Sequence, residues 1–176
     1  MRMAKPQQEL QHRCDVLRER LTDDGFLSNK GLGNEVGIYL FCYDPSLELE
    51  VRHFVERCVT DSEEGRLPCR IIERNLYDVL LQICEDKRIL DRIPQQEERR
   101  GSEALLGQLQ KTASPEAFAR VMDYEPHQPG DVLFITGVGE VYPVLRAHVL
   151  LDTAVEAGIR NNDDLAALAA FGVVGA

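Results

Sequence analysis

Apolar residues recur along the chain at the spacings of alternating helices and strands. Leu10, Cys14, Leu17 and Leu21 are separated by four, three and four positions, which places them on one face of an N-terminal helix. The run from Val36 to Tyr43 is short and almost continuously apolar. It predicts a strand that is buried on both faces, because an exposed strand would alternate polar and apolar positions.

Apolar runs typical of buried strands, and residues typical of helix starts, also occur in the rest of the chain. Two further apolar runs predict strands, at Cys69 to Glu73 and at Asp131 to Ile135. Helix starts with capping residues, Pro or early acidic residues predict helices after Asp44, from Leu76 to about Leu90, after Ser102, after Ser114, and from Tyr142 to Asp152. Pro94 is expected to end the second of these helices, and the polar stretch Gln95 to Gly101 is interpreted as a connection.

Continuous apolar strands separated by helices indicate a parallel sheet with helices on both faces. We therefore predict an α/β fold with a small parallel sheet of about three strands, in a P-loop-like topology that lacks the P-loop itself. Residues 1–152 are predicted to form one domain, and residues 153–176 an atypical Ala/Gly-rich tail. Within that tail the stretch from Asp164 to Ala170 has helix potential, and we expect no fourth strong strand.

The amino-acid composition of the chain argues against several classes of function. The formal net charge is −10, so the field of the molecule repels phosphate, which argues against nucleic-acid binding by the isolated chain. The five cysteines lie at least eleven positions apart and match neither a zinc motif nor a disulfide framework, so we interpret them as buried thiols in a reducing compartment. Because we find neither a signal-peptide core nor a membrane span, we expect a cytoplasmic protein.

The clearest candidate site is the segment Gly137-Val138-Gly139, which joins the third strand to the following helix. Backbone amides at such a junction can hold an anion, but we favour the interpretation that the two glycines only permit a tight turn. The segment lacks the Lys-Ser/Thr pair of a nucleotide-binding P-loop. Tyr142, Arg146 and His148 follow closely and are candidates for contact with a phosphate or a partner protein.

Other polar residues have two interpretations as well. Gly31-Leu32-Gly33 precedes a strand instead of following one, which excludes a dinucleotide fingerprint, but Asn34 and Glu35 beside it are candidate docking residues. Asp44 and Asp78 are placed to line a crevice, although helix capping explains them with fewer assumptions. No metal-ligand spacing and no nucleophile motif is present, so we predict no cofactor, no metal site and no catalytic residue.

An ordered set of segments resembles the BrxB family of the bacterial BREX phage-resistance systems over residues 8–152. The segments are Gly31 to Glu35, Tyr43-Asp44-Pro45, Leu49 to Arg52, Asn75 to Asp78, Thr136 to Pro143 and Leu145 to His148. Family members usually continue into another apolar strand that ends in a Pro-Gly turn. Thr153 to Ala176 departs from that pattern, and we interpret it as a truncated or altered C-terminus.

The resemblance implies a cytoplasmic accessory component encoded beside a methyltransferase, a large ATPase and a PglZ-type protein. It carries over no catalytic residues. We therefore expect a non-enzymatic adaptor that acts by protein–protein interaction, with the PglZ-type component as its partner. Two alternatives remain open at this point: a nucleic-acid-binding regulatory component of the same system, and a weak nucleotide-binding module.

Overall fold

The structure, a computed structural model, describes residues 5–28, 37–156 and 165–173 of the 176-residue chain. Its helices and strands follow in the order α1 (Lys5–Arg20), α2 (Asp24–Leu27), β1 (Gly37–Tyr43), α3 (Glu48–Glu63), β2 (Ile71–Asn75), α4 (Leu76–Asp86), α5 (Ile93–Arg100), α6 (Ser102–Thr112), α7 (Pro115–Met122), β3 (Asp131–Thr136), α8 (Ala147–Glu156) and β4 (Leu165–Val173). Short 3-10 turns cover Pro45–Leu47 and Leu90–Arg92.

The strands form one four-stranded sheet in the order β1-β4-β3-β2. β4 pairs in parallel with β1 on one side and with β3 on the other. The predicted α/β class, with a small parallel sheet flanked by helices, is confirmed, as are the three predicted strands. β1 and β2 lie at opposite ends of the strand order, so the strands that precede Asp44 and Asp78 are not neighbours in the sheet.

The fourth strand corrects the expectation that the C-terminal stretch adds only helix potential. Four of the nine residues of β4 are alanine, which on propensity alone favours helix. Pairing with a strand on each side supplies hydrogen-bond partners to the backbone of β4, and this tertiary context overrides propensity. The boundary proposed at residue 152 stays a prediction.

The chain divides into two compact units, and the first comprises residues 1–73, 127–136 and 163–176. Its core joins the apolar faces of α1 and α3 to the sheet strands β1, β2 and β3, with Leu17, Phe41, Cys58 and Phe134 almost fully buried. The rings of Phe41 and Phe54 stack with centroids 6.0 Å apart. The predicted stripe on α1 is confirmed, because Leu10, Cys14, Leu17 and Leu21 are all buried.

Two carboxylates of the first unit, those of Asp131 and Asp61, are bound by arginine side chains of the same unit. The Asp131 carboxylate, 1% exposed, accepts hydrogen bonds from Arg70 Nε at 2.9 Å, Arg70 Nη2 at 2.5 Å and the Gln128 amide at 2.9 Å. Asp61 at the end of α3 forms ion pairs with Arg18 of α1 and with Arg66 of the following turn. Both carboxylates are therefore neutralised and hydrogen-bonded, as buried charges must be.

The second unit comprises residues 74–126 and 137–162. Helix α4 packs on α7, and α7 packs on α8. Leu76, Phe118, Met122 and Leu150 are the largest of the fully buried side chains described in this unit. Both predicted helices are confirmed. The one predicted after Ser102 begins at Ser102 itself, with Gly101 as its N-cap. The other begins after Ser114, whose hydroxyl accepts a hydrogen bond from the Ala117 amide at 3.3 Å.

Three helix boundaries in this second unit differ from the prediction. Helix α4 ends at Asp86, before the expected Leu90, and Pro94 lies in the first turn of a new helix, α5. The polar stretch predicted as a connection is most of α5, because Pro at a first helical turn costs no hydrogen bond. The last predicted helix begins at Ala147 instead of Tyr142. Among the described helices, none combines the length and apolar character that a membrane span requires.

Candidate functional site

The loop between β3 and α8 is built on Gly137. Its φ of 69° lies in the left-handed region that L side chains rarely adopt, and its carbonyl accepts a hydrogen bond from the Glu140 amide at 3.1 Å. A Cβ at this position would lie 2.7 Å from Oδ1 of Asn75 and 3.1 Å from both Cγ and Nδ2. Glycine is therefore required here both by the backbone conformation and by the close approach of Asn75.

Asn75 has a second role at the same point, because it is the N-cap of α4. Its Oδ1 accepts hydrogen bonds from the amides of Tyr77 at 2.9 Å and Asp78 at 3.4 Å. These amides belong to the first turn of the helix and have no partner within it. The side chain that caps α4 thus also fills the space beside Gly137, which supports a structural role for this glycine.

The second half of the loop is a tight turn with two buried anchors. The carbonyl of Val141 accepts hydrogen bonds from the amides of Val144 at 2.7 Å and Leu145 at 3.2 Å. Val141 and Leu145 are 1% and 4% exposed, so the turn is held on its inner side by two apolar side chains. On its outer side Gln110 of α6 donates a hydrogen bond from Nε2 to the Pro143 carbonyl at 2.9 Å.

Between and on either side of these anchors lie solvent-exposed residues that we together call the Tyr142 surface. It comprises Gly139, Tyr142, Pro143, Arg146 and His148. Tyr142 is 58% exposed, so more than half of its side chain is accessible to a partner. All four candidate residues predicted after Gly137 therefore lie on this surface, whereas Gly137 itself is packed against Asn75. Their binding role stays a prediction.

Asp44 and Asp78, the two carboxylates predicted to line a crevice, each lie at the start of a helix. Asp44 accepts hydrogen bonds from the Ser46 hydroxyl at 2.6 Å and the Ser46 amide at 2.9 Å, and these bonds hold the pKa of Asp44 below its ordinary value. Asp78 is exposed in the first turn of α4, where a negative charge is favoured by the helix dipole. Asp44 is therefore an N-cap, as capping preferences indicate, whereas Asp78 lies inside the first turn of α4 and Asn75 caps that helix.

Asn34 and Glu35, the remaining candidate docking residues, lie outside the described residues. Within the described ranges no group of three or more His, Cys, Asp or Glu side chains is close enough to hold a metal ion.

Sequence reasoning missed a cavity of about 430 Å³ in the first unit. It lies between the N-terminal half of α1 and the end of β1, and Leu10, Arg13, Cys42 and Tyr43 contribute to its lining. The Arg13 guanidinium lies in the wall of this cavity, where it donates hydrogen bonds to the Cys42 carbonyl at 3.0 Å and to the Glu9 carboxylate at 3.1 Å. The spacing of Glu9 and Arg13 at i and i+4 is the one sequence signal for this arrangement.

Comparison with known proteins shows to which family the chain belongs. The family model described as "BREX protein BrxB" matches residues 72–160, which is half of the chain. A "BREX protein BrxB" of Bacillus cereus (strain H3081.97) is 36% identical over 151 residues, covering 81% of this chain and 76% of the relative. The chain belongs to the BrxB family. A second BrxB protein, of Escherichia coli O9:H4 (strain HS), is 28% identical over 147 residues, covering 81% of this chain and 70% of that one.

The match to the BrxB family model takes in Asn75, Gly137 and the whole Tyr142 surface. The predicted resemblance to the BrxB family is confirmed by this match and by the two relatives. No solved structure matches the chain.

Proposed function

We propose that the chain is a cytoplasmic, non-catalytic adaptor of a BREX phage-defence system, and that it acts by binding the PglZ-type component. Membership of the BrxB family supports the role in phage defence. The adaptor role is an inference from the exposure of Tyr142, whereas the choice of the PglZ-type component as partner rests on the family resemblance.

The observation that carries this proposal is the exposed side chain of Tyr142 on an anchored turn. Tyrosine is one of the residue types that most often dominate the free energy of protein–protein binding, because its rigid ring buries a large area at low entropic cost. Here the backbone beneath Tyr142 is held by buried Val141, buried Leu145 and the hydrogen bond from Gln110. A pre-ordered turn loses little conformational freedom when a partner binds.

Co-expression with the PglZ-type component, followed by size-exclusion chromatography, tests the proposal. We expect the two proteins to elute together, and we expect Tyr142→Ala to weaken the complex by roughly tenfold or more, as truncation of an interface tyrosine commonly does. Leu49→Ala is the matched control, because Leu49 is 62% exposed on α3 in the first unit. Separate elution of the wild-type chain from the PglZ-type component and from every other BREX protein would overturn the adaptor role.

The non-catalytic part of the proposal has its own test. We expect no phosphate release from ATP or GTP with Mg²⁺ by the purified chain. The Gly137 loop lacks the lysine that contacts transferring phosphates, and the Asp44 carboxylate is engaged with Ser46. Turnover that disappears in Asp44→Asn or Asp78→Asn would show that these carboxylates are catalytic and that the chain is an enzyme.

A further inference from the structure

The edge of the sheet formed by β2 is protected against the addition of another strand. Its sequence includes the charged residues Glu73 and Arg74. The amide of Ile71, the first residue of β2, donates a hydrogen bond to the Ser62 hydroxyl of α3 at 2.9 Å. Charged residues on an edge strand, and backbone groups that are already hydrogen-bonded, both hinder the pairing of a further strand.

The opposite edge, formed by β1, contains no charged residue. Its seven residues pair with β4 in one register without a bulge. The Cys42 carbonyl near the end of β1 accepts a hydrogen bond from Arg13 Nη1 at 3.0 Å, and Arg13 belongs to α1, outside the sheet. This carbonyl therefore points away from β4. The amide and carbonyl of Leu40 point the same way, because the backbone groups of alternate residues in a strand share one side.

Leu40, the middle residue of β1, lies at the least protected part of this edge. Its side chain is 59% exposed. Within residues 5–28, 37–156 and 165–173, its outward amide and carbonyl have no hydrogen-bond partner. An uncharged edge strand with unpaired backbone groups and an exposed apolar side chain is the arrangement to which another strand adds.

We infer that the edge of β1 pairs with the same edge of a second copy of the chain. The two β1 strands run antiparallel about a two-fold axis at Leu40, since a symmetric dimer places the same residues on both sides. In this register Tyr39 lies opposite Phe41 of the second copy, and Leu40 lies opposite Leu40. The core face of the sheet thus stays continuous across the interface. Because the β2 edge is protected, addition ends at two copies.

Side-chain and charge properties of β1 favour a second copy as the occupant of its edge. Exposed Leu40 requires an apolar neighbour on the added strand, which Leu40 of the second copy supplies in the symmetric register. Each copy has a formal charge of −10, but no charged side chain lies on the paired strands. Seven paired residues span only about 23 Å, so the interface is smaller than the roughly 1,600 Å² of a standard one. We expect a weak dimer, with a dissociation constant on the order of 1–100 μM.

Sedimentation equilibrium of the full chain, at protein concentrations across and well above this range, tests the inference. We expect the wild type to dimerise and Leu40→Lys to weaken the dimer roughly tenfold or more, because two like charges would lie directly opposite each other. Leu49→Lys is the matched control, since Leu49 is 62% exposed on α3 of the same unit, and it should dimerise as the wild type does. Added salt should strengthen the wild-type dimer, because it screens the repulsion between two negatively charged copies.

A disulfide tests the symmetric register. The Cα atoms of a hydrogen-bonded antiparallel pair are about 5.5 Å apart, a separation that a disulfide spans. Leu40→Cys, made together with Cys42→Ser to remove the neighbouring half-buried thiol, should therefore form a disulfide-linked dimer on mild oxidation. Leu49→Cys with the same Cys42→Ser change is the control and should remain monomeric on a non-reducing gel.

A wild-type chain that stays monomeric at all these concentrations overturns the inference. So does a dimer that Leu40→Lys leaves unchanged or that Leu40→Cys does not cross-link, because the two copies would then join through another surface. A monomeric wild type whose binding to the PglZ-type component is lost in Leu40→Lys would assign the edge to a strand of that protein instead. Tyr142→Ala should dimerise as the wild type does, so dimerisation is tested independently of the adaptor function.

Discussion

Asn75 and Gly137 are packed so closely that a single methyl group does not fit between them. A Cβ on residue 137 would lie 2.7 Å from the Asn75 Oδ1, the same oxygen that accepts the hydrogen bond from the Tyr77 amide at 2.9 Å. The side chain of Asn75 is therefore held from two sides, by the first turn of α4 and by the loop that carries the Tyr142 surface. Because of this contact, a change at either residue is expected to affect the conformation of both the start of α4 and the loop.

Gly137→Ala is expected to destabilise the chain by roughly 2–4 kcal/mol, since it combines a strained positive φ with overpacking against Asn75. Urea unfolding followed by circular dichroism measures the change. Gly65→Ala is a control for the backbone alone, because Gly65 has a φ of 71° and a Cβ added there would meet no atom within 4 Å. Gly107→Ala, in α6 with no close atom, should be neutral or stabilising by up to about 1 kcal/mol. Equal losses for Gly137→Ala and Gly65→Ala would contradict the close packing.

Asn75→Ala is expected to cost about 0.5–2 kcal/mol, because it removes the cap of α4. It should also remove the atoms that collide with a methyl group at residue 137. We therefore expect the double variant Asn75→Ala/Gly137→Ala to be less destabilised than the sum of the single variants, with a coupling free energy of roughly 1 kcal/mol. Asn75→Asp, which keeps the accepting oxygen, is the control. Strict additivity in a double-mutant cycle would show that the two residues act independently.

Much of the fold is predictable because its signals are local. β1, β2 and β3 are apolar runs, and Ser114 and Asn75 occupy helix starts where capping residues are favoured. The Tyr142 surface can be located for the same reason, since it follows directly from the end of a strand. The features that escape prediction depend on contacts between distant parts of the chain.

Two parts of the chain show why distance in the sequence matters. The local pattern places Pro143 at a helix start, but its carbonyl is bound by Gln110, 33 positions earlier, and the residues around it form an anchored turn instead. The Ala-rich sequence of β4 favours helix because nothing local reveals that its backbone pairs with both β1 and β3. Contacts of this kind are decided by tertiary packing, which no pattern within a short window records.

Asp131→Asn is expected to destabilise the chain by roughly 2–4 kcal/mol, since it leaves Arg70 without its carboxylate. The loss should be below that of a fully buried pair because the Arg70 side chain is 37% exposed. Glu9→Gln is the control: it removes an exposed pair with Arg13 at i and i+4, which is worth at most about 0.5 kcal/mol. Urea unfolding of both variants is the measurement, and similar losses would contradict the importance assigned to the Arg70–Asp131 contact.

Cys42 is expected to be the first of the five cysteines to react with iodoacetamide at pH 8. Burial raises the pKa of Cys14, Cys58 and Cys69 to about 11 each, and it also raises the pKa of Cys84. These four thiols are buried and almost entirely protonated at this pH, whereas Cys42 is half-buried on the wall of the cavity. Peptide mass spectrometry over time measures each rate, with a urea-unfolded sample as the control. Equal rates in the folded chain would contradict the burial of the other four.

Asp61 is expected to make the stability of the chain fall at acid pH. Hydrogen bonds from Arg18 and Arg66 hold the pKa of the Asp61 carboxyl below its ordinary value of 3.8. A carboxyl with a lowered pKa in the folded state stabilises that state above the pKa of the unfolded chain, and the contribution is lost as pH falls through the folded pKa. The wild-type chain should therefore lose stability below about pH 4, through the loss of the contacts that join α1 to the end of α3.

Asp61→Asn separates this effect from the general acid sensitivity of the chain, because it keeps the size of the side chain and removes the titrating group. The variant should be less stable than the wild type at pH 7 and should lose less further stability between pH 5 and pH 3. Glu9→Gln, in an exposed ion pair, is the control and should follow the wild-type curve. Thermal unfolding at each pH is the measurement. Parallel curves for the wild type and Asp61→Asn would show that the titration of Asp61 does not contribute to acid sensitivity, since the difference between them must shrink as the carboxyl becomes protonated.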